Sequence, residues 1–392
     1  MAGTNGKARV AVNGYGVIGK RVADAIALQD DMELSAVADV AVDYRLRVAA
    51  ERGYPIFASA GEKKSVLEAA GLPVRGTLHD LLPEVDLIVD CTPKKVGAAN
   101  KPTYDKAGVR AIFQGGEKHE LAGFSFVAQV NYAEAIDRQS ARVVSCNTTA
   151  LCRVLHALHR KGWVKRARAV LLRRGTDPWE SHKEGMINTV VPETKVPSHQ
   201  GPDAQTVLEG MDIVTMAGAG PFNLSHIHFA MVETTRSVSL DELRHALWEE
   251  PRIAFVHAAN GLVSLNAVIE LMRDLRRPRA DMWEVAVWED ALASDGREVY
   301  LTYQVHNEAI TIPECVDAIR AMTGLERNAA RSIEKTDRSL GVAKSFLPKT
   351  VPELAIHEHM AAELKEAANG FVSEGFKGAE EPVEPSWPGG GR

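Results

Sequence analysis

Three glycines near the start of the chain leave few folds open to it. Gly14, Gly16 and Gly19 follow the apolar segment 8–12 with the spacing G-x-G-x-x-G, and a stretch with helical periodicity comes next. In such a unit the first glycine permits a tight turn, the second lets a pyrophosphate approach the backbone, and the third allows close helix packing. The N–H groups at the helix start then bind the phosphates. The pattern predicts a dinucleotide site, with an ordinary glycine turn as the alternative.

An acidic residue supports the dinucleotide interpretation. Asp39 ends the next apolar segment, 33–39, and stands 20 residues after Gly19. A carboxylate at this place can accept hydrogen bonds from a ribose 2′-hydroxyl, and it repels a 2′-phosphate. The expected cofactor is therefore NAD, with NADP as the second possibility.

The order of the segments predicts the fold class. In the first part of the chain, helical segments of crossover length separate further strand candidates, namely 33–39, 87–90, 111–113 and 142–145. Strands that alternate with helices form a parallel sheet with helices on both faces. We therefore expect an α/β fold with a Rossmann-type doubly wound parallel sheet.

After residue 145 the character changes, because strands dominate there. The candidates are 167–174, 226–234, 283–292 and 298–306. The last two alternate apolar and polar side chains and are joined by a Ser-Asp-Gly turn, which predicts an antiparallel hairpin with one face in solvent. This part is expected to be an α+β domain with a largely antiparallel sheet.

Composition excludes several classes of protein. With 392 residues the chain is long enough for two domains, and 46 basic against 52 acidic side chains give a net charge of −6. A mildly acidic chain is not suited to coating nucleic acid or an anionic membrane. Four cysteines are too few for a disulfide framework. Neither a signal peptide nor a bilayer-spanning apolar run is apparent, so a cytoplasmic protein is expected.

One cysteine stands where a thiol can be activated. Cys146 lies between a predicted buried strand and the start of a helix. Unpaired N–H groups and the helix dipole stabilise a thiolate at such a position. The alternative for any free cysteine is a small buried apolar residue, and Cys91, Cys152 and Cys315 fit that alternative better. We therefore expect Cys146 to be the catalytic nucleophile.

Two histidines alternate on one predicted strand. His226 and His228 therefore face the same side, as in some metal sites, but no third ligand is evident nearby and no metal is expected. A single histidine that acts as a base beside a thiol is the better interpretation. His228 fits the role of a hydrogen-bonded core residue.

Positive charge and hydrogen-bonding groups occur together in two places. Arg173 and Arg174 end a predicted strand and should point to opposite faces, so that one can hold a substrate phosphate and the other the cofactor or a carboxylate. A solvated basic strand end is the alternative. The loop 197–203 has several polar side chains between prolines, which suits anion binding.

Taken together, several segments resemble one enzyme family. They are VNGYGVIGKR (12–21), FQGGEK (113–118), SCNTT (145–149), RRGTDP (173–178), SHQGPD (198–203) and AIRAMTG (318–324). This collinear set is similar to the archaeal-type (type II) phosphorylating glyceraldehyde-3-phosphate dehydrogenases. The resemblance runs almost continuously from about residue 9 to residue 341.

The resemblance implies residue roles. Cys146 would be the nucleophile and His226 the general base. The residues that would contact the dinucleotide are Gly14, Gly16, Val17, Ile18, Gly19, Asp39, Gly116, Arg174 and Asn307. The residues that would line the triose or phosphate pocket are Ser145, Asn147, Thr148, Arg173, His199 and Gln200.

The resemblance also implies the domain order and assembly. The dinucleotide-binding domain would cover 1–145 and the catalytic domain 146–312, while helices in 313–342 would pack back on the first domain. The extension 343–392 has no counterpart in the family that we can place. Its end is rich in Pro, Gly and acidic residues, which predicts partial disorder. A homotetramer is expected.

Three positions depart from the family pattern. Gln200 stands where the family commonly has a second histidine, and this difference affects one expected contact with the phosphate but not the pocket. Asp39 stands where members that use NADP often have basic or hydroxyl residues nearby. Asn307 replaces a glutamine that contacts the nicotinamide, so the amide is kept on a shorter side chain.

The predicted reaction is the phosphorylating oxidation of glyceraldehyde 3-phosphate to 1,3-bisphosphoglycerate, as in glycolysis or gluconeogenesis. Cys146 would form a thiohemiacetal and then a thioester, His226 would remove the hydroxyl proton, and inorganic phosphate would cleave the thioester. One alternative is a phosphorylating dehydrogenase for another aldehyde or semialdehyde. Another is a nucleotide-sensing protein without catalysis.

Overall fold

A computed structural model describes residues 6–114, 116–180 and 188–347. The strands of the first sheet are β1 (Ala8–Asn13), β2 (Met32–Asp39), β3 (Ile56–Ala58), β4 (Val74–Thr77), β5 (Leu87–Asp90), β6 (Arg110–Phe113), β7 (Ser125–Phe126) and β8 (Ser140–Val143). Those of the second are β9 (Val164–Arg174), β10 (Val191–Pro192), β11 (Ile213–Gly220), β12 (His226–Thr234), β13 (Ile253–Val256), β14 (Val285–Trp288), β15 (Ala293–Ser294) and β16 (Glu298–Val305).

The helices connect and cover these strands. They are α1 (Val17–Ala27), α2 (Tyr44–Glu51), α3 (Lys64–Ala69), α4 (Leu78–Leu81), α5 (Val96–Ala107), α6 (His119–Ala122), α7 (Ala128–Asn131), α8 (Cys146–His159), α9 (Gln200–Gln205), α10 (Leu240–Glu249), α11 (Leu265–Asp274), α12 (Ile312–Thr323) and α13 (Ala329–Leu340). The predicted α/β fold with one parallel sheet and one largely antiparallel sheet is confirmed.

The first sheet is parallel throughout the described residues, with eight strands in the order β4-β3-β2-β1-β5-β6-β8-β7. The chain runs outward from β1 to β4 and then crosses to the other side of β1 with β5. Ligands of such sheets bind at the carboxyl ends of the strands where the order reverses. The turn with the three glycines follows β1 and lies at this point.

Side chains that alternate along β1 build a core on each face of this sheet. Val10 and Val12 pack in one core with Ile26 of α1. Ala11, between them, belongs to a second core with Tyr104 of α5. Because both faces are covered, residues 10–12 of β1 are all apolar, as is usual in parallel strands.

The second sheet is mixed, and in the part of the chain that the structure describes its order is β10-β11-β9-β12-β16-β14-β13. Two neighbouring pairs, β11 with β9 and β13 with β14, are parallel, and the other pairs along this path are antiparallel. One face of the sheet packs on α8 and α10. The opposite face of β9, β11 and β12 is exposed.

The predicted hairpin is partly wrong. Segments 283–292 and 298–306 do pair antiparallel, through β14 and β16. However, β14 ends at Trp288, and the short strand β15 makes the tight pair with β16. The predicted solvent face is also wrong for β14, which is buried along its length because a core covers each of its faces, one with Val285 and Val287 and the other with Ala286 and Trp288.

Helices α12 and α13 lie against the first sheet. Ile312 to Met322 of α12 are all buried, and the apolar members pack with α1 and β1. Arg320 donates to Asp31 and Gln29 from the first half of the chain. Beyond α13, Phe346 packs in a core of the second half. The rest of the predicted extension, from residue 348, lies outside the described residues.

A buried cluster of charges joins α8, α12 and β13. The side chains of Arg153, Arg252 and Glu314 are fully buried. Glu314 Oε1 accepts from Arg153 Nε at 3.1 Å and from Arg252 Nη1 at 3.2 Å, and Arg252 Nε donates to Asp337 of α13 at 2.7 Å. Burial opposes ionisation of Glu314, but the two guanidinium charges outweigh it and lower the pKa of that carboxyl.

Candidate active site

The three glycines occupy positions that a side chain would disturb in different ways. Gly14 has a φ of +90°, and a Cβ there would press on the backbone of Cys91. A Cβ on Gly19 would overlap the carbonyl oxygen of Gly14. A Cβ on Gly16 would meet only Arg45, at 3.7 Å. The turn is therefore tight at its first glycine, closely packed at its third and open at its second, as a pyrophosphate site needs.

The first turn of α1 offers free backbone donors beside an open cleft. Gly16 is the N-cap and supplies no side-chain acceptor, so the N–H groups of Val17 and Ile18 have no capping partner. A cleft of about 130 Å³ lies at this helix start. Its lining residues are Val17, Lys20, Tyr44, Arg45, Pro178, Trp179 and Glu308. This arrangement fits the phosphates of a dinucleotide.

Asp39 lies beside the Gly-rich turn, and its carboxylate is already hydrogen-bonded. Its Oδ2 accepts the N–H of Tyr15 at 2.6 Å, and its Oδ1 accepts those of Val40 at 2.6 Å and Ala41 at 2.8 Å. These bonds fix the turn after β1 relative to the loop after β2. Asp39 thus has a structural task that the sequence did not predict, next to its expected contact with a ribose.

Gly116 lies at the carboxyl end of β6, against the loop that follows β5. A Cβ on Gly116 would be 3.5 Å from Cβ of Lys94. The next residue, Glu117, accepts the N–H of Lys95 at 2.7 Å and so ties the two loops together. Gly116 is therefore at the same edge of the sheet as the Gly-rich turn.

Cys146 and His226 are 80 residues apart in sequence, and their side chains meet at hydrogen-bond distance. Cys146 opens α8 and His226 opens β12, and Sγ lies 3.3 Å from Nε2. The backbone N–H of Arg174 donates to Nδ1 of His226 at 2.9 Å. Because Nδ1 accepts, the single proton of the neutral ring is on Nε2. The ring is thus set to donate to a thiolate.

The electrostatics of this pair differ from the sequence expectation in one respect. Burial raises the pKa of the Cys146 thiol, although the charge of Arg174 and the N–H groups of Asn147 and Cys146 lower it. The helix start therefore acts with the expected sign, but burial outweighs it. Burial, together with the charges nearby, also lowers the pKa of His226 well below its usual value, so the ring is neutral.

Asn147 and His228 form a buried contact next to Cys146 and His226. His228 Nε2 lies 2.8 Å from Oδ1 of Asn147, and its ring meets Tyr303 edge to face at 5.0 Å. Burial lowers the pKa of His228 to about 3. His228 is thus a hydrogen-bonded core histidine that holds Asn147 in the first turn of α8.

Ser145 and Thr148 are engaged with protein groups. Ser145 caps α8, since its Oγ accepts the N–H of Thr148 at 3.4 Å and lies 2.9 Å from the Thr148 hydroxyl. That hydroxyl donates to Asp203 at 2.7 Å. Asp203 also accepts from Arg142 at 2.7 Å. The sequence did not single out Asp203, which joins α9 to the first turn of α8.

Arg173 and Arg174 form separate contacts. Arg173 pairs with Glu193 at 3.1 Å, while Arg174 pairs with Asp177 at 2.6 Å. Arg174 is near enough to Cys146 to influence its thiol, as stated above. The two guanidinium groups thus contact different carboxylates, as expected for adjacent residues that point to opposite faces of a strand.

His199 and Gln200 differ in their surroundings. His199 is exposed and lies 3.3 Å from Glu193 through Nδ1. Gln200 is fully buried, and in the described part of the chain neither its Oε1 nor its Nε2 has a hydrogen-bond partner. A buried amide without partners is costly. Its donor is therefore available to an oxygen-rich ligand.

Asn307 holds the backbone just before His226. Its Oδ1 accepts the N–H of Ser225 at 2.9 Å, and Ser225 has a left-handed φ of 65°. Its Nδ2 is buried and has no hydrogen-bond partner within the ranges that the structure describes. The free donor fits the carboxamide of a nicotinamide, while the acceptor positions the start of β12.

The structure thus brings Cys146, His226, Arg174 and Asn307 into one connected group. The predicted phosphate ligands Arg173 and His199 meet in a second group, through Glu193. The sequence assigned no role to Glu193, Asp203 or Arg45, because their contacts depend on tertiary structure.

Among the residues described, no group of three or more His, Cys, Asp or Glu side chains is arranged to hold a metal ion. None of the helices within the described ranges is long and apolar enough to cross a membrane.

The Arg174→Gln substitution is expected to raise the pKa of the Cys146 thiol further, because the guanidinium charge is the largest effect that opposes burial. The rate of alkylation by iodoacetamide as a function of pH measures this pKa, with the modified cysteine identified by mass spectrometry. Arg173→Gln is the matched control, since that guanidinium pairs with Glu193 instead. Equal profiles for the two variants would contradict the assignment.

Known proteins resemble the chain over most of its length. Residues 145–291 match the family model of the glyceraldehyde 3-phosphate dehydrogenase C-terminal domain. The chain is 46% identical over 339 residues to glyceraldehyde-3-phosphate dehydrogenase 1 of Methanosarcina barkeri, covering 86% of this chain and 99% of that protein. It is 47% identical to the glyceraldehyde-3-phosphate dehydrogenases of Methanosarcina mazei (86% and 99% covered) and Archaeoglobus fulgidus (87% and 99% covered).

Proposed function

This chain belongs to the archaeal-type glyceraldehyde-3-phosphate dehydrogenases, and from that premise we propose how its residues carry out the reaction. The proposed reaction is the oxidation of glyceraldehyde 3-phosphate to 1,3-bisphosphoglycerate, with inorganic phosphate and a nicotinamide dinucleotide. The observation that carries the proposal is the contact of 3.3 Å between Cys146 Sγ and His226 Nε2 at the start of α8.

Cys146 is the proposed nucleophile. Its thiolate attacks the aldehyde carbon, a C–S bond forms, and the charge moves to the former carbonyl oxygen. The N–H groups at the start of α8 and the Nε2–H of His226 are directed to the sulfur, where they would stabilise first the thiolate and then this oxyanion. Asn307 and Arg174 hold the ring of His226 for this purpose through the backbone.

Loss of a hydride from the same carbon converts the thiohemiacetal to a thioester. The bound dinucleotide would supply the acceptor for that hydride. Hydrogen phosphate then attacks the thioester carbon, the C–S bond breaks, the thiolate of Cys146 is restored, and the phosphate proton passes to solvent. The C–S bond that forms in the first step is therefore broken in the last step.

His226 is proposed to act first as a hydrogen-bond donor. While the thiohemiacetal oxygen stays an alkoxide, the hydride can leave without prior removal of a proton. The general-base role predicted from the sequence needs the other tautomer, with the proton on Nδ1. That tautomer would lose the hydrogen bond from the N–H of Arg174.

The proposed substrate phosphate site contains Arg173, His199 and Gln200. Arg173 supplies a guanidinium suited to phosphate. The buried Nε2 of Gln200 has no partner among the described residues and supplies a donor. These groups favour a phosphorylated aldehyde over the alternative of an unphosphorylated semialdehyde.

The purified chain is expected to form NADH from glyceraldehyde 3-phosphate only when phosphate is present. Cys146→Ser should lower kcat at least about a thousandfold, because the hydroxyl is a far weaker nucleophile than the thiolate. Cys152→Ser, inside α8 and buried, is the control and should keep most of the activity. Full activity in Cys146→Ser would refute the mechanism, and no activity in the wild-type enzyme would refute the proposed function.

The proposed cofactor is NAD. Asp39 carries a negative charge at the end of β2, next to the Gly-rich turn, and would repel a 2′-phosphate there. We expect kcat/KM for NAD to exceed that for NADP by at least about tenfold, because opposed like charges are costly. Steady-state rates with both cofactors measure the ratio. Comparable values would contradict the role of Asp39.

We further propose that the chain forms a homotetramer, in which copies cover the outer face of the second sheet. Met216, Val170 and Phe229 lie side by side on β11, β9 and β12, and each is exposed. A contiguous apolar face is typical of an interface between subunits. A solution mass of one chain by light scattering would contradict this proposal.

The proposed setting is the cytoplasm. All four cysteines, including Cys146, are free thiols. A reducing compartment keeps such thiols from forming disulfides. Recovery of the protein outside the cytoplasm after cell fractionation would contradict this assignment.

A further inference from the structure

A carboxylate lies between the two residues proposed to bind a phosphate. Glu193 Oε2 is 3.1 Å from Arg173 Nη2. Its Oε1 is 3.3 Å from Nδ1 of His199 and 3.5 Å from the His199 backbone N–H. The two oxygens of Glu193 therefore contact Nη2 of Arg173 and both Nδ1 and the backbone N–H of His199, groups that a phosphate would also use.

The backbone of Glu193 is held by the sheet. Its N–H donates to the carbonyl of Ala217 at 2.8 Å, directly after β10 pairs with β11. Strand β11 in turn pairs with β9, which carries Arg173. Glu193 therefore directly follows the edge strand β10, which is two strands away from β9 and its Arg173.

Glu193 stays ionised at neutral pH. Partial burial opposes its ionisation, but the hydrogen bonds and charge of His199, with the charge of Arg173, lower the pKa of the carboxyl below its usual range. A phosphate group cannot share these donors with a nearby carboxylate without like-charge repulsion. A phosphate at these donors would therefore compete with the Glu193 carboxylate.

We propose that Glu193 is a built-in competitor for the phosphate site and so sets its affinity. In the free enzyme its carboxylate takes the place of the phosphate on Arg173 and His199. The ligand class is a phosphate monoester or inorganic phosphate. This proposal rests on the proposed function, because it assumes that Arg173 and His199 bind the phosphate of a substrate.

A purely structural role makes the opposite prediction. If Glu193 only holds Arg173 and His199 in position, its loss leaves both side chains loose and weakens phosphate binding. If Glu193 competes, its loss frees both donors and strengthens phosphate binding. The sign of the change in affinity separates the two roles.

The test is Glu193→Gln, which keeps the size of the side chain and removes its charge. We expect the KM for glyceraldehyde 3-phosphate, and the Kd for inorganic phosphate measured by calorimetry without cofactor, to fall about three- to tenfold. The two measurements distinguish substrate phosphate from free phosphate, and a fall in either supports competition at that ligand's site. kcat/KM for unphosphorylated glyceraldehyde should change less than about twofold.

Glu209→Gln is the matched control, since it removes one negative charge from an exposed position of the same half. Its constants should equal those of the wild type. Unchanged or raised values of both KM and Kd in Glu193→Gln would overturn the proposal, as would an equal fall in the control. A wild-type enzyme without activity on glyceraldehyde 3-phosphate would instead show that the proposed function fails, and the calorimetric comparison would still test Glu193.

Discussion

The fully buried ion pairs of Arg153 and Arg252 with Glu314 connect the elements on which the site depends. Arg153 lies on α8, the helix that Cys146 begins, and its guanidinium also donates to the carbonyls of Trp283 and Ile310. Leaving any one of these charges without its partner is strongly destabilising in a buried site. The helix is thereby fixed between the second sheet and α12, which packs under the first sheet.

This fixed helix explains why residues far apart in sequence can form one site. The first turn of α8 presents the sulfur, β12 presents His226, and the end of β9 supplies both a backbone donor to His226 and the charge of Arg174. The Gly-rich turn proposed to bind the cofactor lies at the switch point of the first sheet. Burial makes the thiol a weaker acid, and the donors around Cys146 offset part of this effect.

Much of this arrangement follows from sequence, and the rest depends on tertiary contacts. The Gly-rich turn, its strand and its helix were predictable because each glycine has a steric requirement that the spacing records. Strands β3, β4 and β7 were missed because two to four residues carry no periodicity. Glu193 was missed because its meeting with Arg173 depends on pairing through β10 and β11. The raised pKa of Cys146 was missed because burial is set by the packing around α8.

The role of His226 is the central claim, and replacing its ring tests that role most directly. The amide of His226→Gln can donate a hydrogen bond near the place of Nε2 but cannot accept a proton as a base, whereas His226→Ala can do neither. The measurement is the rate of NADH formation in a single turnover of each variant. A donor role predicts that the Gln variant is at least about tenfold faster than the Ala variant. Equal, strongly reduced rates would contradict it and favour a general base.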